Sequence, residues 1–418
     1  MSNENKSVFD DNALTCQFKW GWSTIFLNTG TSSSCHRCRH YTFDEETIIN
    51  FHNLPGKLKD RQKMLNGEWP GNGCEYCRDV EVVGGISERV KFVNKKDSFI
   101  PNELFEDPSA LVVSPTILEV YFNNLCNQSC IYCRPRFSSQ IEQEVRFHGP
   151  SKFNEDYSLI YPNEDKIKYK VYLEKFLEYM KKYGKNLKHF KMLGGEPLYQ
   201  DEFNMLLDLF NEYPCPNLKF EIFTNLNHSN SKLVEKVSKL TQLITTNKIK
   251  EVQFNCSIDC WGPDVEYIRN GFEIIEAENN INLLLDTSDI KVQIHATISA
   301  LSLPSMYILG EKVKEWQKKK PIYFSWNTIQ SPTCFNVYNF GNTLVPFIDK
   351  FIATLGENIQ PYQRSILGVK TRMLHSTINK DEIIQLYNFL NELDIRRNKN
   401  WKIMFPEIVD IINRELNV

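Results

Sequence analysis

Twelve cysteines in a chain of 418 residues are the side chains whose types and spacing point most directly to chemistry. Three of them, Cys126, Cys130 and Cys133, stand in CNQSCIYC as a C-x3-C-x2-C run, which puts three thiols on one tight loop. Three thiolates satisfy three irons of a cubane [4Fe–4S] cluster, and no fourth cysteine follows at ferredoxin spacing, so one iron is left for a ligand that is not protein. Taken alone, the run also fits a zinc knuckle or a chance cluster. A second set, Cys16, Cys35, Cys38, Cys74 and Cys77, contains two C-x2-C pairs, the spacing of a structural zinc site with Cys16 free. Cys215, Cys256 and Cys260 read as packing residues. Cys334 is either a buried small side chain or a thiol near the active face.

The first residues, MSNENKSVFDDN, lack the charged-then-apolar run of a secretory signal, and no stretch reaches the ~18 apolar residues of a membrane span. The expectation is a cytoplasmic protein without a membrane partner, where clustered cysteines bind metal more often than they form disulfides. With 49 Lys and Arg against 52 Asp and Glu, the net charge of −3 speaks against nucleic-acid binding.

These cysteines need a scaffold. Residues 118–123, 188–193, 219–225, 251–259, 291–300 and 321–329 have the β-branched and aromatic character of strands. Between them, residues 169–183, 201–213 and 232–243 place apolar side chains at helical spacing. Six β/α units in succession predict a parallel α/β barrel or open sheet. The Cys126 loop then follows the first strand, at the carboxyl-terminal face where such folds carry their chemistry. Residues 45–68 predict a helix ending at Asn66-Gly67, residues 90–115 a linker, and residues 134–165 a long loop that is either a lid or disordered. Residues 343–418 predict helices.

The three-cysteine run, Tyr132 before its last cysteine, Gly194-Gly195-Glu196-Pro197 after the second strand and the six-unit count resemble the radical S-adenosylmethionine (SAM) superfamily. The resemblance implies a partial (β/α)6 barrel over residues 114–335 and a [4Fe–4S] cluster with SAM at its open iron. It implies Tyr132 near the adenine and Gly194, Gly195 and Glu196 at the SAM ammonium. Thr224, Asn225, Ser257 and Asp259 would contact ribose or carboxylate, with Arg269 either pairing a carboxylate or exposed on a helix.

Cys16, Gly30 and Cys35, as C-x13-G-x4-C, are similar to the opening of SPASM and twitch domains. That implies an auxiliary [4Fe–4S] cluster on Cys16, Cys35, Cys74 and Cys77, with Cys38 an alternative ligand and zinc the alternative metal, in a domain spanning residues 1–113. Such domains usually follow the barrel rather than precede it. Residues 336–418 would be a helical extension. The activity implied is reductive cleavage of SAM to a 5′-deoxyadenosyl radical that takes hydrogen from a peptide or protein side chain, with a flavodoxin or ferredoxin as electron donor. Alternatives are radical chemistry on a small molecule such as a sugar or nucleoside, and a non-catalytic Fe–S or zinc scaffold. Under the radical reading, Cys334 is a candidate hydrogen-atom donor.

Overall fold

The computed structural model describes residues 14–93, 100–158, 166–356 and 364–416. Nine strands form one sheet: β1 (Trp22–Phe26), β2 (Thr31–Ser33), β3 (Tyr41–Thr42), β4 (Ile117–Tyr121), β5 (His189–Leu193), β6 (Cys215–Thr224), β7 (Ile249–Ser257), β8 (Ile290–Ile298) and β9 (Ile322–Thr328). From β4 to β9 the strands lie side by side in sequence order and all pair in parallel, so each expected β/α unit is present. The helices between them bury one stripe each. In Asn230–Thr245 the buried residues are Leu233, Val237, Leu240 and Leu243, and in Asp201–Glu212 they include Phe203, Leu206, Leu207 and Phe210.

The amino-terminal strands extend this sheet rather than forming another. β1 pairs in parallel with β4, from Trp22 opposite Ile117 to Phe26 opposite Tyr121, while β2 and β3 add to it antiparallel. Only Pro55–Leu65 of residues 45–68 forms an α-helix, with proline in its first turn where no amide bond is lost, and Gly67 follows at φ +77°. Residues 94–99 of the expected linker lie outside the described residues.

The expected long loop after the cysteines is partly a helix. Ser139–His148 is α-helical, with the Ser138 hydroxyl accepting from the Ile141 amide as its N-cap and Ile141 and Val145 buried beneath. The carboxyl-terminal helix Lys380–Arg397 clamps this helix and the chain just beyond it: Arg397 bonds Glu144 at 3.1 Å and the Tyr157 hydroxyl at 3.0 Å, and Arg396 Nη1 bonds the Gly149 carbonyl at 2.9 Å. Residues 159–165 lie outside the described residues. No helix among the described residues is long and apolar enough to cross a membrane.

The two faces of the parallel sheet differ. One presents Val120, Phe190, Met192, Phe220, Ile222, Phe254 and Ile294 to the main core. The other is polar and largely buried, and its side chains bond across neighbouring strands. Thr24 donates to Glu119 at 2.8 Å, Lys191 approaches Glu119 at 3.9 Å, and His189 meets Glu221 at 2.8 Å. Gln253 Nε2 donates to Asn255 at 2.7 Å and Gln293 at 3.0 Å, and His295 meets Ser325 at 2.9 Å. A parallel sheet covered by helices on both faces reads as near-continuous apolar runs; strict alternation in β8, with Lys291, Gln293, His295 and Thr297 on one face, gives this one away.

Candidate functional site

The Cys126–Cys133 loop leaves β4 at its carboxyl end and is tied down at four places. Ser138 Oγ donates to the Gln128 carbonyl at 2.7 Å, and Ser139 Oγ bridges the Cys126 amide and carbonyl at 3.1 Å each. The Ser129 and Ile131 amides donate to the carbonyls of Asn270 and Ile268, both at 2.9 Å. Asn127 Nδ2 donates to the Asn227 carbonyl at 2.7 Å. A loop rich in backbone polar groups stays in one conformation when those groups are paired this way.

Gly194 and Gly195 form the fourth tie, and for a reason spacing alone does not show. Both have left-handed φ, +85° and +55°. A Cβ on Gly195 would lie 2.3 Å from the Leu125 carbonyl oxygen, and one on Gly194 would lie 2.8 Å from the Tyr121 ring. The glycines let the end of β5 pass against the cysteine loop, and the Glu196 amide donates to the Leu125 carbonyl at 2.7 Å.

Glu196 is 1% exposed. Its carboxylate accepts from Thr224 Oγ1 at 2.6 Å, the Asn225 amide at 2.6 Å and the Leu198 amide at 3.2 Å, joining β5 to β6. Burial pushes its pKa up to about 7 against the pull of these donors. A carboxylate offers about four acceptor sites, so one remains on Oε2. The Asn225 side chain turns to the cysteines: Nδ2 donates to Asn127 at 2.8 Å and lies 4.0 Å from Cys126 Sγ.

Asp259 is a buried hub. It accepts from Arg269 Nε at 2.8 Å and Nη2 at 3.0 Å, from the Thr297 amide at 2.8 Å and from the Tyr132 hydroxyl. Its acceptor sites are thereby filled, and it positions other groups rather than offering itself to a ligand. Arg269 is not exposed on a helix: it sits just after Pro263–Ile268, is 7% exposed, and brings Nη1 to 4.0 Å from Cys130 Sγ. Burial opposes its charge, yet the Asp259 carboxylate holds it above its ordinary pKa. Ser257 is half-buried at the end of β7, opposite His295.

Burial raises the thiol pKa of Cys126, Cys130 and Cys133, the last to about 12. Among the described residues neither the Cys126 loop nor the amino-terminal cysteines are already gathered into a closed single-ion site. The residues present fit the cluster: three thiols on a braced loop, with a guanidinium and an amide directed at two of the sulfurs.

Cys334 is fully buried in the main core, in a turn against helix Lys380–Arg397, with burial pushing its thiol up to about 12. Cys215, Cys256 and Cys260 are likewise buried in the main core.

In the amino-terminal set, Cys35 and Cys38 bring their sulfurs to 3.4 Å, and Cys38 also hydrogen-bonds with Cys74. Cys16, Cys38 and Cys74 are buried in one small core with Trp20 and Met64, and Cys35 packs against it. What sequence reasoning missed is the Asp259 hub and the polar sheet face. The first joins residues too far apart for any motif; the second was open to detection through strand alternation.

No protein-family model matches the sequence, and neither does any curated protein. Solved structures are similar over part of it, among them two that are each 15% identical. TYW1 with a lysine-pyruvate adduct bound is matched over 58% of this chain and 71% of that one, with a TM-score of 0.30. Native anSMEcpe with bound AdoMet and Kp18Cys peptide is matched over 56% and 58%, with a TM-score of 0.35. Likeness at this distance carries no argument about activity.

Proposed function

We propose that this chain is a radical SAM enzyme, that β4 to β9 form its partial (β/α)6 barrel, and that Cys126, Cys130 and Cys133 hold a [4Fe–4S] cluster with SAM at the open iron. The observation that carries this reading is the bracing of the three-cysteine loop against the Gly194-Gly195 turn at the carboxyl ends of β4 and β5. When bound, the cluster and SAM supply a 5′-deoxyadenosyl radical by one-electron cleavage of the sulfonium, and that radical takes a hydrogen atom from substrate.

The chain's own residues position and shield. Arg269 and Asn225, directed at the Cys130 and Cys126 sulfurs, favour the thiolate over the thiol. Glu196 keeps one acceptor site for the SAM ammonium, and Thr224 and Ser257 stand at the adjoining strand ends. Tyr132, anchored by Asp259, offers a fixed aromatic face to the adenine. A peptide or protein side chain undergoing crosslinking, epimerisation or oxidation is the substrate that the resemblance to SPASM and twitch enzymes implies, and the buried polar face of the sheet would read it, or a sugar or nucleoside, by hydrogen bonds. An auxiliary centre in the amino-terminal cysteines and a flavodoxin or ferredoxin donor belong to the same reading.

The test is anaerobic reconstitution followed by incubation with SAM, dithionite and candidate substrates deuterated at carbon. Deuterium in the released 5′-deoxyadenosine with peptides supports the reading; deuterium only with sugars or nucleosides assigns the small-molecule alternative. No release with any of them leaves the scaffold.

A further inference from the structure

We infer that the amino-terminal metal centre is a tetrathiolate of Cys16, Cys35, Cys38 and Cys74, with Cys77 a free thiol, and that its charge is balanced by a buried cationic cluster around Lys19 and Lys57. This deepens the reading that these cysteines bind metal and is independent of radical chemistry at the Cys126 loop.

Proximity argues first. The Cys35–Cys38 and Cys38–Cys74 contacts make a chain of three touching sulfurs, and Cys16 lies within electrostatic reach of Cys38 and of the other two. Cys16, Cys38 and Cys74 belong to the small core with Trp20 and Met64 and Cys35 packs against it, whereas Cys77, half-buried on helix Glu75–Val82, does neither. Gly73 lets the second cysteine turn close on the first: at φ +94°, a Cβ there would lie 2.0 Å from the Arg37 carbonyl oxygen.

Charge is the independent observation. Lys19 is 2% exposed and pairs with Asp60 at 2.5 Å. Lys57 is fully buried and donates only to oxygens of uncharged groups, Ser23 Oγ at 3.0 Å, Ser32 Oγ at 2.7 Å and the Ser33 carbonyl at 3.2 Å. Arg61, also fully buried, bonds the carbonyls of Lys19 and Leu111, the Asn53 side chain and His52. One carboxylate thus serves three basic side chains; all three charged would leave two positive charges in excess inside the protein, and burial without a counter-charge pushes Lys57 well below its ordinary pKa. Buried charge without a partner is among the costliest things a fold can carry. Both lysines lie within electrostatic reach of the Cys38 sulfur. Four thiolates around either a zinc ion or an oxidised [4Fe–4S] core form a dianion, the charge that balances the excess. Ser34, 1% exposed and next to Cys35, keeps a hydroxyl with no partner among the described residues, an O–H available to such a dianion.

The shared ligand chemistry is a thiophilic metal, and the experiment separates its two forms. The full chain carrying Cys126→Ala, Cys130→Ala and Cys133→Ala, which removes the other site, is loaded anaerobically with iron and sulfide in one arm and Zn2+ alone in the other, then desalted. Retained metal is measured together with the absorption spectrum. The expected result is one retained centre, kept in full when Cys77→Ser is added and lost when Cys38→Ser is added, with far-UV circular dichroism unchanged in both. Adding Lys57→Met should leave the ligand set intact and shift an iron–sulfur midpoint to more negative potential, or speed zinc loss to a chelator severalfold. No retained metal in either arm, loss with Cys77→Ser, full retention with Cys38→Ser, or an unchanged Lys57→Met protein would each overturn the proposal. If Cys38→Ser lowers the helical signal, Cys16→Ser is the second variant, and its retention of metal contradicts the assignment equally.

Discussion

Replacing Asp259 with Asn tests the architecture around the cysteine loop through one buried pair. Asp259 is 0% exposed and Arg269 7%, and two bonds of 2.8 and 3.0 Å join them. Removing one member of a buried pair leaves the other uncompensated, at a cost of about 3–5 kcal/mol. Asp259→Asn is therefore expected to destabilise the chain by about 4 kcal/mol. Arg269→Met should fall near the lower end of that range, since the Thr297 amide and Tyr132 hydroxyl still donate to the remaining carboxylate. With both changed, no orphaned charge remains, so the double variant should cost less than the summed single costs by about 2–3 kcal/mol. Urea unfolding of the metal-free, reduced proteins measures all three, provided tryptophan fluorescence and circular dichroism give coincident transitions with equal slopes. Costs that add to within about 0.5 kcal/mol would refute the coupling and with it the hub.

Gly195→Ala should cost more than Gly67→Ala, because both glycines have left-handed φ, +55° and +77°, but only the first would drive a Cβ into backbone, 2.3 Å from the Leu125 oxygen. Left-handed strain alone is about 1–2 kcal/mol, so equal urea midpoint shifts would contradict the close approach. Glu196 binds its proton more tightly folded, at about 7 against 4.5, so the wild type holds more protons folded than unfolded between those values and loses stability as pH rises through them. The loss is about 3 kcal/mol relative to Glu196→Gln between pH 4.5 and 7.5, and parallel pH profiles of unfolding for the two proteins would contradict the burial argument. Ser138→Ala removes both the N-cap of Ser139–His148 and a bond to the Gln128 carbonyl, so about 1–2 kcal/mol should be lost with faster amide exchange in residues 126–133. Unchanged exchange there would separate that helix from the loop.

The parallel strands and the cysteine loop were legible because their signals are local: apolar period within a strand, thiol spacing within eight residues. The sheet edge was not, because β1 pairs with a strand nearly a hundred residues away and no pattern near Trp22–Phe26 announces its partner. The helix within residues 134–165 did carry a signal, Ser138 ahead of Ile141 and Val145, masked by neighbouring prolines and aromatics. Choosing four of the five amino-terminal cysteines was beyond spacing, since both C-x2-C pairs look alike until the fold buries Cys74 and leaves Cys77 half-exposed. Asp259 illustrates the same limit. Its position at a strand end was legible, but its role depends on Tyr132, Arg269 and Thr297 meeting it in space.

The most direct measurement of the proposed activity is 5′-deoxyadenosine release by the anaerobically reconstituted full chain with SAM and dithionite, quantified by chromatography. Release by the wild type, its loss in Cys130→Ala, and its persistence in Cys334→Ala are the expected results. Release by Cys130→Ala at the wild-type rate, or none from a wild-type protein carrying a full complement of iron and sulfide, would contradict the assignment of Cys126, Cys130 and Cys133 to a SAM-binding cluster.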